Sequence, residues 1–220
     1  MGKGLILFDI DGTLLHAPGG RAAFAQAFKE AFGWDQTVEH INFYGATDLN
    51  VFRGICTERG VESTPAMEHA FFERLAPALN SRLAVNPPTL FPNVGNILRK
   101  LSKDWKLGLV TGNIEVNAWA KLRHAGIADY FSFGGFGCTH ADRAEIARQA
   151  LKASGVERPG KVFLIGDTPS DINAAKANGL IAIAVATGGF DFQSLEKAGA
   201  DFVFQDMTDG SGLLAVLETV

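Results

Sequence analysis

The sequence predicts an α/β fold in which a parallel sheet core carries an inserted module of α-helices. Short apolar runs rich in Ile, Leu and Val recur along the chain, and amphipathic stretches with helical periodicity separate them. A single long stretch, after the first run, lacks any strand pattern. Short apolar runs of this kind are typical of strands buried in a parallel sheet, and their alternation with helices indicates a sheet covered on both faces.

Four runs carry the strand pattern clearly and two carry it weakly. The clear strands are predicted at residues Gly4–Phe8, 106–110, 161–165 and 180–186, and the weaker ones at 131–136 and 201–204. Helices are predicted at 93–102, 114–124, 142–155 and 170–178. Asp142 and Glu145 have capping-box spacing, and Ser170 is the expected cap of the last of these helices. The alternation is that of a Rossmann-like core.

The stretch without strands predicts three helices. Phe24, Phe28 and Phe32 repeat every four residues before Gly33, and residues 48–59 form a second helical pattern. Thr64 and Pro65 begin a third, in which Pro77 is expected to kink or divide the helix. We therefore predict an α/β core domain made of residues 1–18 and 88–220, with residues 19–87 inserted as a helical domain.

Composition restricts the class of partner. The chain has 220 residues, of which 47% are hydrophobic and 20% charged, and its net charge is −4. A nucleic-acid or anionic-membrane surface needs clustered Lys and Arg, so neither partner is expected, whereas a small anionic substrate remains compatible. The N-terminal apolar run is too short for a signal peptide or a membrane span, which predicts a cytoplasmic protein. The sequence does not indicate an oligomeric state.

Two acidic residues follow the first predicted strand. Asp9 and Asp11 lie two residues apart and precede Gly12 and Thr13. Ligands of open α/β sheets bind at the carboxyl ends of the strands, and two close carboxylates repel each other unless a cation lies between them. Mg²⁺ prefers one or two carboxylates together with phosphate oxygens and waters. The pattern favours a magnesium site, and the alternative is an ordinary turn built from Asp and Gly.

Two further strands end in polar residues. Thr111 and Gly112 follow the strand at 106–110, where a hydroxyl and a helix N-terminus can bind phosphate oxygens. Asp167 and Asp171 follow the strand at 161–165 and add two carboxylates. Each pair alone is compatible with simple helix capping. Because all three signals fall at carboxyl ends of strands in one predicted sheet, we expect them to form a single site.

These three segments resemble motifs one, two and four of the haloacid dehalogenase (HAD) superfamily. The segments are Asp9-Ile10-Asp11-Gly12-Thr13, Thr111-Gly112-Asn113 and Gly166-Asp167-Thr168-Pro169-Ser170-Asp171. The helical insert is similar to the type 1 cap domain of that superfamily. The resemblance implies a HAD-like core, and Asp11 places the chain in the phosphatase branch, similar to phosphoglycolate phosphatases, because an alkoxide leaving group needs a proton that chloride does not.

The resemblance also implies roles for the acidic residues and the phosphate loop. Asp9 would be the nucleophile that forms an aspartyl-phosphate, and Asp11 the general acid and base. Mg²⁺ would be held by the Asp9 carboxylate, the backbone carbonyl of Asp11 and Asp167, with Asp171 acting through water or orienting the other ligands. Thr111 and the Gly112 amide would bind the transferring phosphoryl group of a small-molecule phosphate ester.

The third motif of the superfamily departs from its usual form here. Its Lys is absent from the corresponding region, residues 138–145. Arg143 is the predicted replacement as a phosphate-binding cation, and His140 is the weaker alternative. In the helical insert we predict Arg21, Thr47 and Asp48 as substrate contacts, although helix capping explains Thr47 and Asp48 equally simply.

Two other functions remain open from the sequence. One is a phosphomutase similar to β-phosphoglucomutase, in which the cap excludes water and the aspartyl-phosphate is transferred to a sugar. The other is a non-catalytic phosphate-binding protein, which is expected to lose at least one of Asp9, Asp11 and Asp167. The sequence retains all three.

Overall fold

The computed structural model describes residues 4–156 and 160–219 and contains one six-stranded parallel sheet. Its strands are β1 (Gly4–Phe8), β4 (Trp105–Thr111), β5 (Gly134–Phe136), β6 (Lys161–Gly166), β7 (Ile181–Val185) and β8 (Phe202–Phe204). Their order across the sheet is β5-β4-β1-β6-β7-β8. All six predicted strands are confirmed, and the α/β class with them.

Helices cover both faces of this sheet. They are α4 (Val94–Leu101), α5 (Glu115–His124), α6 (Arg143–Ala153), α7 (Pro169–Ala177), α8 (Phe192–Lys197) and α9 (Gly210–Thr219). The four predicted core helices are confirmed to within a few residues, whereas α8 and α9 were not predicted. Separate apolar clusters fill the two faces, with Phe8 in one and Leu7 in the other, as expected when successive side chains of a buried strand point to opposite sides.

The inserted stretch folds into α1 (Gly20–Phe32), α2 (Asp48–Glu58) and α3 (Pro65–Val85). These helices share an apolar cluster of their own, in which the rings of Phe28, Phe52 and Phe71 are packed together. The cluster also includes Ile114 and Ala120 at the start and middle of α5, so the insert packs directly on the sheet domain. The division into domains at residues 19–87 stays a prediction.

One local prediction was wrong, and another is settled only in part. Pro77 does not divide α3, which is continuous from Pro65 to Val85, and the kink that was the other expected outcome stays a prediction. Pro77 and Glu73 are both exposed, so the hydrogen bond that Pro77 removes is lost on the solvent-facing side of α3. Ser170 is not the cap of α7, because the Thr168 hydroxyl accepts from the Asp171 amide and Pro169 takes the first helical position.

Both chain connections to the insert meet in a feature that the sequence did not indicate. Strands β2 (Leu15–His16) and β3 (Thr89–Leu90) pair antiparallel just before α1 and just after α3. Two-residue strands leave no periodic pattern in a sequence, which explains the omission. Among the residues that the structure describes, no helix has the length and apolarity that a membrane span requires.

Candidate active site

The sheet order brings the predicted motifs together at one edge. β1 lies between β4 and β6, and all three strands run parallel. Asp9 follows β1, Thr111 ends β4, and Asp167 follows β6. Three residues from distant parts of the chain therefore share the carboxyl edge of the sheet, where ligands of open α/β folds bind.

Three buried carboxylates form the centre of this edge. Oxygens of Asp9, Asp167 and Asp171 lie within 4.8 Å of one another. Burial raises the pKa of Asp9 well above its ordinary value, and Asp171 and Asp167 raise it further, against the effect of Arg143. Burial together with the Asp171 charge raises the pKa of Asp167 to about 7, although a hydrogen bond from Thr13 opposes this. The cluster carries more negative charge than its protein surroundings compensate.

Arg143 is the cation that lies among these carboxylates. As the first residue of α6 it is 6% exposed, and its Nη1 donates to Asp9 Oδ1 at 3.2 Å and to the Val110 carbonyl at 3.4 Å. Its Nε lies 3.3 Å from Asp171 Oδ1. Arg143 therefore contacts the predicted nucleophile directly, and its role as the replacement for the missing Lys stays a prediction. The alternative, His140, instead contacts Gln149 on α6.

The donor set fits a divalent metal ion. Three carboxylates and one guanidinium sum to a formal charge of −2 when ionised, which Mg²⁺ would neutralise. Asp171 Oδ2 accepts from Thr168, and its buried Oδ1 makes no hydrogen bond in the described chain, although it lies 3.3 Å from Arg143 Nε as an ion pair. One guanidinium shared between Asp9 and Asp171 does not compensate three buried carboxylates, and oxygen donors are those that Mg²⁺ prefers.

Two glycines keep the space around Asp167 open. A Cβ at Gly12 or Gly188 would overlap Asp167 Oδ2. Gly12 also has φ of +86°, in the left-handed region that other residues rarely adopt. The turn after Asp11 can therefore approach Asp167 only because position 12 lacks a side chain.

The Asp11 carboxylate has partners outside the group of three buried acids. Its Oδ2 accepts from Asn113 Nδ2 at 2.7 Å and from Lys121 Nζ at 2.6 Å. The predicted metal contact of Asp11 was its backbone carbonyl, so the side-chain orientation leaves that role open. Lys121, on α5, was not predicted. The sequence feature that could have indicated it is helical spacing: Lys121 follows Asn117 by four residues, and both lie on the buried face of α5.

The phosphate-binding segment is packed against the helical insert. Thr111 is fully buried, and its Oγ1 accepts from the Asn113 amide and from Asn113 Nδ2. A Cβ at Gly112 would overlap the Ala46 carbonyl, and the Gly112 carbonyl accepts from the Asp48 amide at 2.8 Å. The insert thus reaches directly to the predicted phosphate site.

The three residues predicted as substrate contacts lie in different surroundings. Thr47 caps α2 through its side chain. Asp48 Oδ2 accepts from the Ile114 amide at the start of α5, and burial raises the pKa of Asp48 to about 6. Arg21 Nη1 donates to the carbonyls of Val38 and Glu39, and within the part of the chain that the structure describes it makes no hydrogen bond to the acidic cluster. Their substrate roles stay predictions.

The chain is similar to known proteins over nearly its whole length. The family described as haloacid dehalogenase-like hydrolase matches residues 6–185. A phosphoglycolate phosphatase of Synechococcus elongatus is 29% identical over 205 residues, covering 93% of each chain. One of Rhodospirillum rubrum is 30% identical over 212 residues, covering 91% of this chain and 86% of the relative. The structure of CbbY from Rhodobacter sphaeroides in complex with phosphate aligns with a TM-score of 0.72 at 23% identity, over 96% and 97% of the two chains.

Proposed function

Because the chain belongs to the haloacid dehalogenase-like hydrolase family and is a phosphatase, we propose that it hydrolyses small phosphate monoesters by nucleophilic attack of Asp9, with Mg²⁺ as cofactor. The observation that carries this proposal is the buried group of Asp9, Asp167 and Asp171, in which Arg143 pairs with Asp9 and Asp171. Phosphoryl transfer depends mainly on positioning and on neutralising charge, which this arrangement supplies.

Asp9 forms the new bond in the first step. One oxygen of its carboxylate attacks phosphorus, the bond from phosphorus to the ester oxygen breaks, and Asp11 gives its proton to the departing oxygen. In the second step Asp11 takes a proton from water and the water oxygen attacks phosphorus. The bond from phosphorus to the Asp9 oxygen breaks, which releases inorganic phosphate and restores the Asp9 carboxylate. A covalent intermediate divides one difficult displacement into two easier ones.

The remaining residues bind and orient the phosphoryl group. The Thr111 hydroxyl and the Gly112 amide face the phosphate, and Arg143 balances charge between Asp9 and the phosphoryl oxygens. Asp9, Asp167 and the Asp11 carbonyl would hold Mg²⁺, with Asp171 beside them. When bound, the ion supplies positive charge to the phosphoryl oxygens. Residues 19–87 act as a cap that closes over the leaving group and excludes water.

The names of the bacterial relatives select the first substrate to test, which is 2-phosphoglycolate. Phosphate release from it should require Mg²⁺ and should stop with EDTA. Asp9→Asn should reduce turnover at least ~10³-fold, because an amide is a poor nucleophile. Asp129→Asn, at an exposed turn outside the site, is the matched control and should retain full activity.

The covalent step is tested separately. Enzyme quenched during turnover is reduced with borohydride, which converts an aspartyl-phosphate into homoserine, and the peptide containing position 9 is examined by mass spectrometry. Homoserine at this position supports the nucleophile. Undiminished turnover by Asp9→Asn would refute it, as would homoserine at a different acidic residue.

A further inference from the structure

Lys121 is a buried cation beside the candidate active site, and it has no role in the two proposed reaction steps. Its side chain is 8% exposed although α5 presents several charged residues to solvent. Nζ donates to Asp11 Oδ2 at 2.6 Å and to Asn113 Oδ1 at 2.6 Å. An ammonium group so far from water is retained only when its partners compensate its charge and fill its donors.

The ammonium group also fixes the orientation of Asn113. Lysine can only donate, so the amide oxygen of Asn113 must face Lys121. Its Nδ2 is then directed to the opposite side, where it donates to Asp11 Oδ2 at 2.7 Å and to Thr111 Oγ1 at 2.7 Å. Lys121 thereby connects the predicted acid–base residue with the predicted phosphate-binding hydroxyl.

Both donors meet the same oxygen of Asp11. The Asp11 side chain is 41% exposed, and a carboxylate with that much access to water can rotate unless it is held. Within residues 4–156 and 160–219, no hydrogen bond is recorded to its other oxygen, Oδ1. Two charge-assisted or amide donors on one oxygen restrict rotation and leave the second oxygen for the substrate.

We propose that Lys121 is a positioning residue for protonation of the leaving group, acting through Asp11 and oriented by Asn113. The inference rests on the proposed function, because it assigns to Asp11 the proton that the alcohol receives. As the bond from phosphorus to the ester oxygen breaks, the O–H bond of Asp11 breaks and that of the alcohol forms. The resulting carboxylate remains paired with Lys121, which compensates the charge that develops there.

Dependence on the leaving group distinguishes this role from phosphate binding. An alkoxide needs a proton in order to leave, whereas p-nitrophenolate leaves without one. The measurement is kcat/KM, since it covers only the steps up to release of the alcohol. Lys121→Met keeps most of the apolar stem while removing the charge. It should lower kcat/KM about 10- to 100-fold for 2-phosphoglycolate and for phenyl phosphate, and less than about 3-fold for p-nitrophenyl phosphate.

A double-mutant cycle tests whether Lys121 acts through Asp11. Asp11→Asn should show the same selectivity as Lys121→Met, and adding Lys121→Met to Asp11→Asn should cause less than about a 3-fold further loss with any of the esters. Arg123→Met, an exposed position on the same helix, is the control for a general effect on α5 and should retain wild-type values. Thermal unfolding establishes that each variant is folded.

The outcomes separate failure of this inference from failure of the proposed function. Equal losses of kcat/KM with all three esters, or additive losses in the double mutant, would overturn the positioning role of Lys121. The roles proposed for Asp9 and Asp11 would be unaffected. If Asp11→Asn shows no dependence on the leaving group, the acid role of Asp11 fails instead, and the inference falls with it. If Lys121→Met does not fold, Asn113→Leu removes the same bridge and is judged by the same three esters.

Discussion

The helical insert and the carboxyl edge of the sheet are both buried, but they use burial in opposite ways. In the insert, Phe71 lies 4.4 Å from Phe28 and 5.0 Å from Phe52, measured between ring centroids, in a cluster of apolar side chains. At the sheet edge, three carboxylates lie close together, and one guanidinium pairs with two of them. The first arrangement lowers the free energy of the folded chain, whereas the second raises it until a cation is bound.

This difference indicates which region maintains the fold and which performs chemistry. Apolar packing is favourable in the absence of any ligand, so the insert is expected to tolerate loss of the metal. The acidic edge holds groups whose raised pKa values record unfavourable surroundings. Natural sequences depart from local consistency chiefly at functional sites, and these acids depart from it in a position where ligands bind.

The largest effect on stability is expected from Phe71→Ala. Phe71 is fully buried and contacts four other aromatic rings, so truncation leaves a cavity at the centre of the insert. The free energy of unfolding in urea should fall by about 3–5 kcal/mol. Phe192→Ala, at a ring that is 37% exposed, should change it by less than about 0.5 kcal/mol. Similar losses of unfolding free energy at both positions would show that the aromatic cluster of the insert does not stabilise the fold more than an exposed ring does.

The second prediction reverses the sign at the acidic edge. Asp167→Asn keeps an oxygen able to accept from Thr13 and removes a carboxylate whose pKa is about 7. The folded state holds this proton more tightly than the unfolded chain does, so ionisation destabilises the metal-free protein as pH rises from about 4 to 7. At pH 8 with EDTA, the variant should be about 2 kcal/mol more stable than the wild type.

Magnesium should invert this ranking. Mg²⁺ at about 10 mM should raise the unfolding temperature of the wild type, because an ion that binds only the folded state stabilises it by mass action. Asp167→Asn should respond weakly, since it lacks one proposed ligand. A variant that is less stable than the wild type in EDTA, or that responds equally to Mg²⁺, would show that the edge is not held in unfavourable surroundings for the sake of a metal.

The sequence information about the sheet edge is local. Strand ends, paired acids and a turn glycine are read directly from neighbouring residues such as Asp9, Asp11 and Gly12. The order of the strands then brings Asp9 and Asp167 to one side, as expected for parallel strands that share a sheet. The six strands and seven helices of the prediction follow from the same short-range patterns.

What the sequence did not reveal depends on side chains that meet across the fold. Lys121 lies 110 residues from Asp11 along the chain, and an isolated lysine on a helix gives no sign of its partner. Thr168 rather than Ser170 caps α7 because Pro169 favours the first helical position, a competition between neighbours that spacing alone does not decide. Asp48 is of a residue type that commonly caps its own helix, yet its carboxylate accepts a hydrogen bond from the Ile114 amide at the start of α5.

Asp48 gives the smallest predicted effect and tests the boundary between the two regions. It belongs to the insert by sequence, but its carboxylate accepts from the Ile114 amide beside the phosphate loop. Burial raises its pKa to about 6, so its ionisation between about pH 4 and 6 lowers the free energy of unfolding. Asp48→Asn retains the acceptor and removes the charge.

We expect this substitution to reduce the pH dependence of stability by about 1 kcal/mol between pH 4.5 and 7.5, less than the full pKa shift implies because the residue is only partly buried. Urea unfolding of both proteins in EDTA at the two pH values measures the change, with Asp129→Asn as the exposed control. If Asp48 instead behaves like Asp129, its carboxylate is solvated and the insert meets the sheet edge through backbone contacts alone. If Asp48→Asn reduces the pH dependence of the free energy of unfolding, the Asp48 carboxylate is buried unfavourably, like the acids of the sheet edge. The region of unfavourably buried acids then includes the first turn of α2, which belongs to the insert.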